Sequence, residues 1–85
     1  QWEQETILWK IEGSFTELDY SPDGTLIATG AEDGLVQLWL AEDGTPLAAL
    51  QGHTSGVAHG AFSPDGILLA SLDSDGTLIL WSLPR

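Results

Sequence analysis

Short apolar stretches alternate with Asp-Gly turns along most of this chain. Asp-Gly occurs at 23–24, 33–34, 43–44, 65–66 and 75–76, so neighbouring turns within each group are ten residues apart. Asp-Gly favours tight hairpin turns, because glycine tolerates a positive φ and aspartate can bond its own backbone. The stretches between the turns are rich in Leu, Ile, Val and Trp and have the length of strands. A turn every ten residues leaves no room for a helix of usual length, so the pattern predicts antiparallel meanders of four strands.

The chain contains one complete meander and three strands of a second, related by an offset of 42 residues. Ser21-Pro22-Asp23-Gly24 returns as Ser63-Pro64-Asp65-Gly66, and Trp39 returns as Trp81. Four strands in a period of this length are the signature of one propeller blade. The predicted strands are 15–20, 26–31, 35–40 and 46–51 in the first blade, and 57–62, 67–72 and 77–83 in the second.

These motifs resemble the WD-repeat β-propeller family. The resemblance rests on residues 62–66, Leu69-Ala70-Ser71 and residues 75–81, with Gly52-His53 upstream, and on the related first copy. It implies an all-β fold and a buried network of His, Ser or Thr, Asp and Trp. In the second blade the matching residues are His53, Ser71, Asp75 and Trp81. The first blade offers Thr29, Asp33 and Trp39, with Ile11 at the position of the histidine, so we expect a less well satisfied network there.

The order of the predicted strands within the repeat predicts a single unit, 1–85, that does not form a complete ring by itself. The first blade spans 14–52, and the second, 56–85, lacks its own outer strand. An orphan outer strand at 6–11 precedes the first blade and would complete a blade of a neighbouring chain. Propellers have typically four to eight blades, so two blades per chain predict a ring closed by copies: four chains with eight blades, or three with six. The predicted seam between chains contains Thr6, Ile7, Leu8, Trp9, Ile11, Leu78, Leu80 and Leu83.

Composition narrows the choice of partners. The net charge is −11, from 13 acidic and 2 basic residues, which excludes nucleic acid and anionic membrane because both need a positive footprint. A basic protein or peptide is therefore the expected partner besides the chain itself. The chain has no cysteine, which is compatible with the cytoplasm, and no cofactor is expected.

Two further candidate sites have less support in the sequence. Asp73-Ser74-Asp75-Gly76 resembles part of a calcium loop, but Ser71 and Ser82 stand where further ligands belong, so a turn is predicted. Glu17 and Asp19 lie on one face of the first inner strand, and His59 is equivalent to Glu17. Repeated around a ring axis, these side chains could surround water or a cation.

Three functions follow from the sequence. The first is a non-catalytic scaffold that assembles head-to-tail and binds a protein or peptide through loops around 12–14, 31–34, 52–56 and 73–76. The second is a segment of a larger propeller protein whose function lies in the parent. The third is a metal-dependent or enzymatic module built around the ring axis, although no nucleophile, base and oxyanion donors are seen together in the sequence.

Overall fold

The described part of the chain, Lys10 and residues 13–83 of a computed structural model, forms two antiparallel β-sheets. The prediction of an all-β antiparallel fold is confirmed. The first sheet has the order β1 to β4 and the second the order β5 to β7. The predicted outer strand at 6–11 lies outside the described residues, apart from Lys10. The strands are β1 (Phe15–Tyr20), β2 (Leu26–Ala31), β3 (Val36–Leu40), β4 (Pro46–Leu50), β5 (Val57–Phe62), β6 (Leu68–Asp73) and β7 (Leu78–Ser82).

The two sheets repeat the sequence offset in three dimensions. The bounds of β1, β2 and β3 return 42 residues later as those of β5, β6 and β7. A bulge between Phe15 and Glu17 returns between Val57 and His59. Every described strand therefore has a structural counterpart in the other blade, except β4.

The Ser-Pro-Asp-Gly motif builds the turn that joins the two innermost strands of each blade. The Gly24 amide donates to the Ser21 carbonyl at 2.9 Å, and Gly24 has a φ of +77°. The Ser21 hydroxyl donates to Asp23 at 2.8 Å and accepts from the Leu26 amide at 2.9 Å. Equivalent contacts recur at Ser63. The motif thus fixes where β2 and β6 begin.

The hydrophobic core lies between the two sheets. It joins buried Ala28, Val36 and Leu38 of the first blade to Val57 and Leu69 of the second. Successive residues of a strand point to opposite faces, so each sheet buries one face here and turns the other away from its neighbour. The described residues contain no helix long and apolar enough to span a membrane.

Candidate functional site

A chain of buried and partly buried hydrogen bonds connects the loop after β4 to the second blade. His53 lies in that loop, and its Nδ1 is 2.9 Å from Asp73 Oδ2. Its Nε2 is 2.6 Å from the Ser71 hydroxyl. The Trp81 indole donates to the same hydroxyl at 2.8 Å. Four side chains from three segments are thereby joined into one polar network.

The strands position these side chains by simple alternation. Ser71 and Asp73 are two residues apart on β6, so they point to the same face. Leu69, two residues earlier, pairs with Trp81 of β7, which brings the indole to that face. A Cβ built on Gly52 would lie 3.0 Å from Ile79 Cδ1 and 3.2 Å from Trp81 Cη2. Glycine at position 52 therefore lets the loop run close over the tryptophan.

One arrangement of protons satisfies the whole network. The Trp81 indole has only a donor, so Ser71 must accept from it and can give its own hydrogen to His53 Nε2. His53 then carries its hydrogen on Nδ1 and donates it to Asp73. The neutral Nδ1–H tautomer thus pairs every donor with an acceptor.

Asp73 is held as a carboxylate despite its burial. Burial is the largest single influence and would raise the pKa of the Asp73 carboxyl. Hydrogen bonds from the Thr77 amide, the His53 ring and the Asp75 amide, with a smaller electrostatic attraction from the His53 N–H, outweigh it and hold that pKa below its ordinary value of 3.8. The negative charge is therefore compensated inside the blade.

The acidic member of the network is Asp73, so the prediction of Asp75 is wrong. Position 75 lies beyond the end of β6, and Asp75 is exposed in the following turn. Its amide donates to Asp73 Oδ1 at 3.0 Å and to the Ser55 hydroxyl at 3.2 Å. The two-residue period of the strand, counted from Ser71, was the signal that could have identified Asp73.

The first blade replaces the network with a single hydrogen bond. The Trp39 indole donates to the Thr29 hydroxyl at 2.9 Å, while Ala31 stands at the position equivalent to Asp73. The prediction that Asp33 joins the network is wrong, because Asp33 is exposed and caps the turn by accepting from the Leu35 amide at 3.0 Å. Every buried side-chain nitrogen or oxygen in the described residues has a partner. The expectation of a less well satisfied network is thus wrong, because the first blade lacks the acidic side chain and leaves no described buried group unpaired.

Ser71, His53 and Asp73 follow the contact order of a catalytic Ser-His-Asp triad. Ser71, however, is 2% exposed, and its hydroxyl already accepts from Trp81. A substrate carbonyl cannot reach an oxygen buried to this degree, so the contacts serve the structure of the blade.

The weaker metal candidates are occupied by protein contacts. The calcium-like segment is a turn, in which the Gly76 amide donates to the Asp73 carbonyl at 3.0 Å. Within Lys10 and residues 13–83, no three His, Cys, Asp or Glu side chains are arranged to hold a metal ion.

Glu17 and Asp19 bind the neighbouring blade, which is a role that the sequence did not suggest. Glu17 accepts from the Gly60 amide at 3.1 Å, and Asp19 accepts from the Phe62 amide at 2.9 Å. Both donors are backbone groups of β5 that face away from β6. The two carboxylates therefore connect the inner strands of the blades.

The predicted seam residues divide into three groups. Thr6, Ile7, Leu8, Trp9 and Ile11 lie outside the described residues. Leu78 and Leu80 are exposed at 61% and 62%. Leu83 is 5% exposed and belongs to the core between the two blades of this chain. Its assignment to an interchain seam is wrong, because it shares the parity of Trp81 and points to the opposite face from Leu80.

Three loops meet at one end of the sheets and form a surface that we call the loop face, residues 31–34, 52–56 and 73–76. A Cβ on Gly34 would lie 2.8 Å from the His53 carbonyl oxygen, and the Ser74 amide donates to the Gly56 carbonyl at 2.9 Å. Glu32, Asp33 and Asp75 are exposed there, so the loop face is acidic.

Comparison with known proteins agrees with this architecture. The family model described as "WD domain, G-beta repeat" matches residues 6–39 and 44–82. The β-propeller domain of Myceliophteria thermophila Cps50 (Swd1) superimposes with a TM-score of 0.81 and 28% identity, over 87% of this chain and 24% of that one. The C-terminal WD40 domain of Sif2 gives a TM-score of 0.76 and 34% identity, over 80% of this chain and 19% of that one.

A curated relative is much longer than this chain. The periodic tryptophan protein 2 homolog of Caenorhabditis elegans is 40% identical over 60 residues, which are 67% of this chain and 7% of the relative. Proteins of this family are generally non-catalytic scaffolds. Two blade-like sheets, the repeated turn motif and the two matches to the family model show that the chain belongs to the WD40 repeat family.

Proposed function

We propose that this chain is a two-blade WD40 scaffold without catalytic activity, whose ring is completed by further blades and whose loop face binds a basic protein or peptide. The observation that carries ring completion is the outer surface of the second blade, which we call the free face. It consists of His59 and Ala61 of β5, Leu68, Ala70 and Leu72 of β6, and Leu78 and Leu80 of β7.

The internal repeat supports a docking role for the free face. Val36 and Leu38, the counterparts of Leu78 and Leu80, are each 2% exposed because the second blade covers them. Leu78 and Leu80 are more than half exposed in this chain. Large exposed apolar patches mark interaction surfaces, so the free face supports the docking of another blade.

Two sources can supply that blade. Copies of this chain would give an even number of blades, eight from four chains or six from three, in a head-to-tail ring. A longer chain carrying further blades is the alternative, in keeping with the greater length of the relatives. Native mass spectrometry distinguishes them, because copies give four or three times 9.1 kDa. Each copy adds a charge of −11, so assembly from copies should strengthen with salt.

The acidic loop face supports a basic partner through charge complementarity. The test is fluorescence anisotropy with a labelled Lys/Arg-rich peptide, compared with a Glu-rich peptide of equal length. We expect only the basic peptide to bind, and more weakly as salt increases.

Two Glu→Gln variants locate the binding surface. Glu32→Gln removes a charge from the loop face and should weaken binding by about 1.5- to 5-fold, the range of one exposed charge pair. Glu42→Gln, in the turn at the opposite end of the sheets, is the matched control and should leave binding unchanged. Equal effects of the two variants, or equal binding of both peptides, would contradict the proposal.

A further inference from the structure

At the contact between the two blades of this chain, a side chain projecting from one blade fits a hollow in the other. A Cβ built on Gly30 would lie 2.7 Å from the Cβ of Val57 and 2.5 Å from its Cγ1. Real Cβ contacts essentially never fall below 3.0 Å. The Val57 side chain therefore sits in the space that Gly30 leaves, and the glycine sets how closely β2 and β5 approach.

The free face of the second blade presents the reverse shape. Leu72 is the counterpart of Gly30, 42 residues later, and pairs with Leu78 on β7. It lines a shallow hollow of the free face together with His59 and Ala70. The position that has no side chain on the first blade therefore carries a leucine on the second.

A second copy of this chain does not match that shape. The counterpart of Val57 in a copy is Phe15, which is larger than valine and 40% exposed. With the blade spacing seen within the chain, a copy would place the Phe15 Cβ about 2.7 Å from the Leu72 Cβ, since the Gly30–Val57 distance sets that spacing. Interiors are packed at close to crystal density and cannot absorb such an overlap without a shift of the blade.

The side chains that make the polar contacts between the two blades are also replaced on the free face. Glu17 and Asp19 accept hydrogen bonds from Gly60 and Phe62 within the chain. Their counterparts are His59 and Ala61, so the free face has no carboxylates for the inner strand of the next blade. The free face of the second blade thus differs in both shape and charge from the face of the first blade that contacts β5.

We infer that the free face takes a non-identical blade whose inner strand begins with glycine, and that Leu72 is the residue that selects it and rejects a copy of this chain. The inference rests on the proposal that further blades complete the ring. A glycine at the start of that inner strand would give Leu72 the space that Gly30 gives Val57. The projecting side chain would then belong to β6 of this chain, and the hollow to the inner strand of the incoming blade. This choice favours a ring built from blades of different sequence.

The test uses this chain as its own probe, by placing glycine at the start of its inner strand. Phe15→Gly creates the hollow that Leu72 requires, so the variant should assemble and its mass should rise from 9.1 kDa to three or four times that value. The unmodified chain should stay monomeric in the same micromolar range. Circular dichroism of both chains establishes that each is folded.

Two further variants separate shape from a general change in stability. Phe15→Gly/Leu72→Gly leaves neither blade with a side chain to fill this contact, so the double variant should be monomeric. Leu68→Gly removes the same side chain from the other end of β6, also on the free face, and should remain monomeric. If Phe15→Gly does not fold, Leu72→Gly/Phe15→Val tests the same geometry, because it restores the Gly30–Val57 pairing between copies and should assemble.

Two results would overturn the inference. One is a folded Phe15→Gly chain that stays at 9.1 kDa, and the other is an unmodified chain that forms trimers or tetramers. The second result would leave ring completion intact while removing the role of Leu72. The scaffold proposal stands or falls separately, on the peptide-binding experiment.

Discussion

Ser71→Ala tests whether the buried network stabilises the second blade. The substitution removes the one hydroxyl that both accepts from Trp81 and contacts His53, at 2.8 and 2.6 Å. Leaving a buried polar group without its partner costs about 1–3 kcal/mol. His53 Nε2 is fully buried, whereas the Trp81 indole is partly accessible to water. We therefore expect a loss of about 2–4 kcal/mol in the free energy of unfolding.

The matched control is Thr29→Val in the first blade. It preserves the shape of the side chain and removes a hydroxyl with one indole partner, Trp39. Its expected cost is about 1–3 kcal/mol, which is smaller because one partner is lost rather than two. Urea unfolding followed by tryptophan fluorescence measures both. The reasoning is refuted if Ser71→Ala costs less than Thr29→Val, or if its cost falls below about 0.5 kcal/mol, the scale of an ordinary surface substitution.

Three further perturbations probe other contacts. The pKa of Asp73 is lower in the folded chain than its ordinary value of 3.8, so its contribution to stability is complete above that value and is lost as pH falls through the lowered pKa. Urea midpoints measured from pH 7 to 2.5 should therefore decline less steeply at the acidic end in Asp73→Asn than in the unmodified chain. Gly30→Ala should destabilise by about 1–3 kcal/mol because the new methyl group overlaps Val57, and thermal unfolding should show partial recovery in Gly30→Ala/Val57→Ala. Asp19→Ala leaves the Phe62 amide without its acceptor and should lower the unfolding free energy in urea by about 1–2 kcal/mol.

The same measurements contain their controls. Gly60→Ala would place its methyl group no closer than 3.6 Å to another atom, an ordinary contact, so a loss like that of Gly30→Ala would show that glycine itself matters rather than the close approach. If the urea midpoints of Asp73→Asn and the unmodified chain declined equally at low pH, the charge compensation inferred for Asp73 would be disproved. A neutral Asp19→Ala would show that the carboxylate is dispensable at the seam.

The strands were predictable because turn chemistry is local. Asp-Gly pairs mark the turns, and the strands begin and end within one residue of the predicted positions. The network acid and Leu83 were misplaced for a different reason. Both errors ignored the alternation of side chains along a strand, which places Asp73 with Ser71 and Leu83 with Trp81.

The contacts between the blades had no comparable signal in the sequence. Glu17 and Asp19 each bond a backbone amide 43 residues away, and a backbone donor leaves no trace in residue identity. The role of Gly30 likewise depends on the approach of Val57 from the other sheet. Such features arise only when two sheets are placed against each other.

The position of His53 has a consequence for how these repeats are inherited. His53 follows β4 of the first blade, but its partners Ser71, Asp73 and Trp81 belong to the second. A recombination breakpoint between residues 53 and 57 would therefore separate the histidine from its partners, although it falls between two sheets. A breakpoint in the turn at 41–45 would keep them together, at the cost of re-pairing β4 with a new β3. The segment that can be duplicated or exchanged intact is thus out of phase with the blade, and it carries the outer strand of one sheet with the three inner strands of the next.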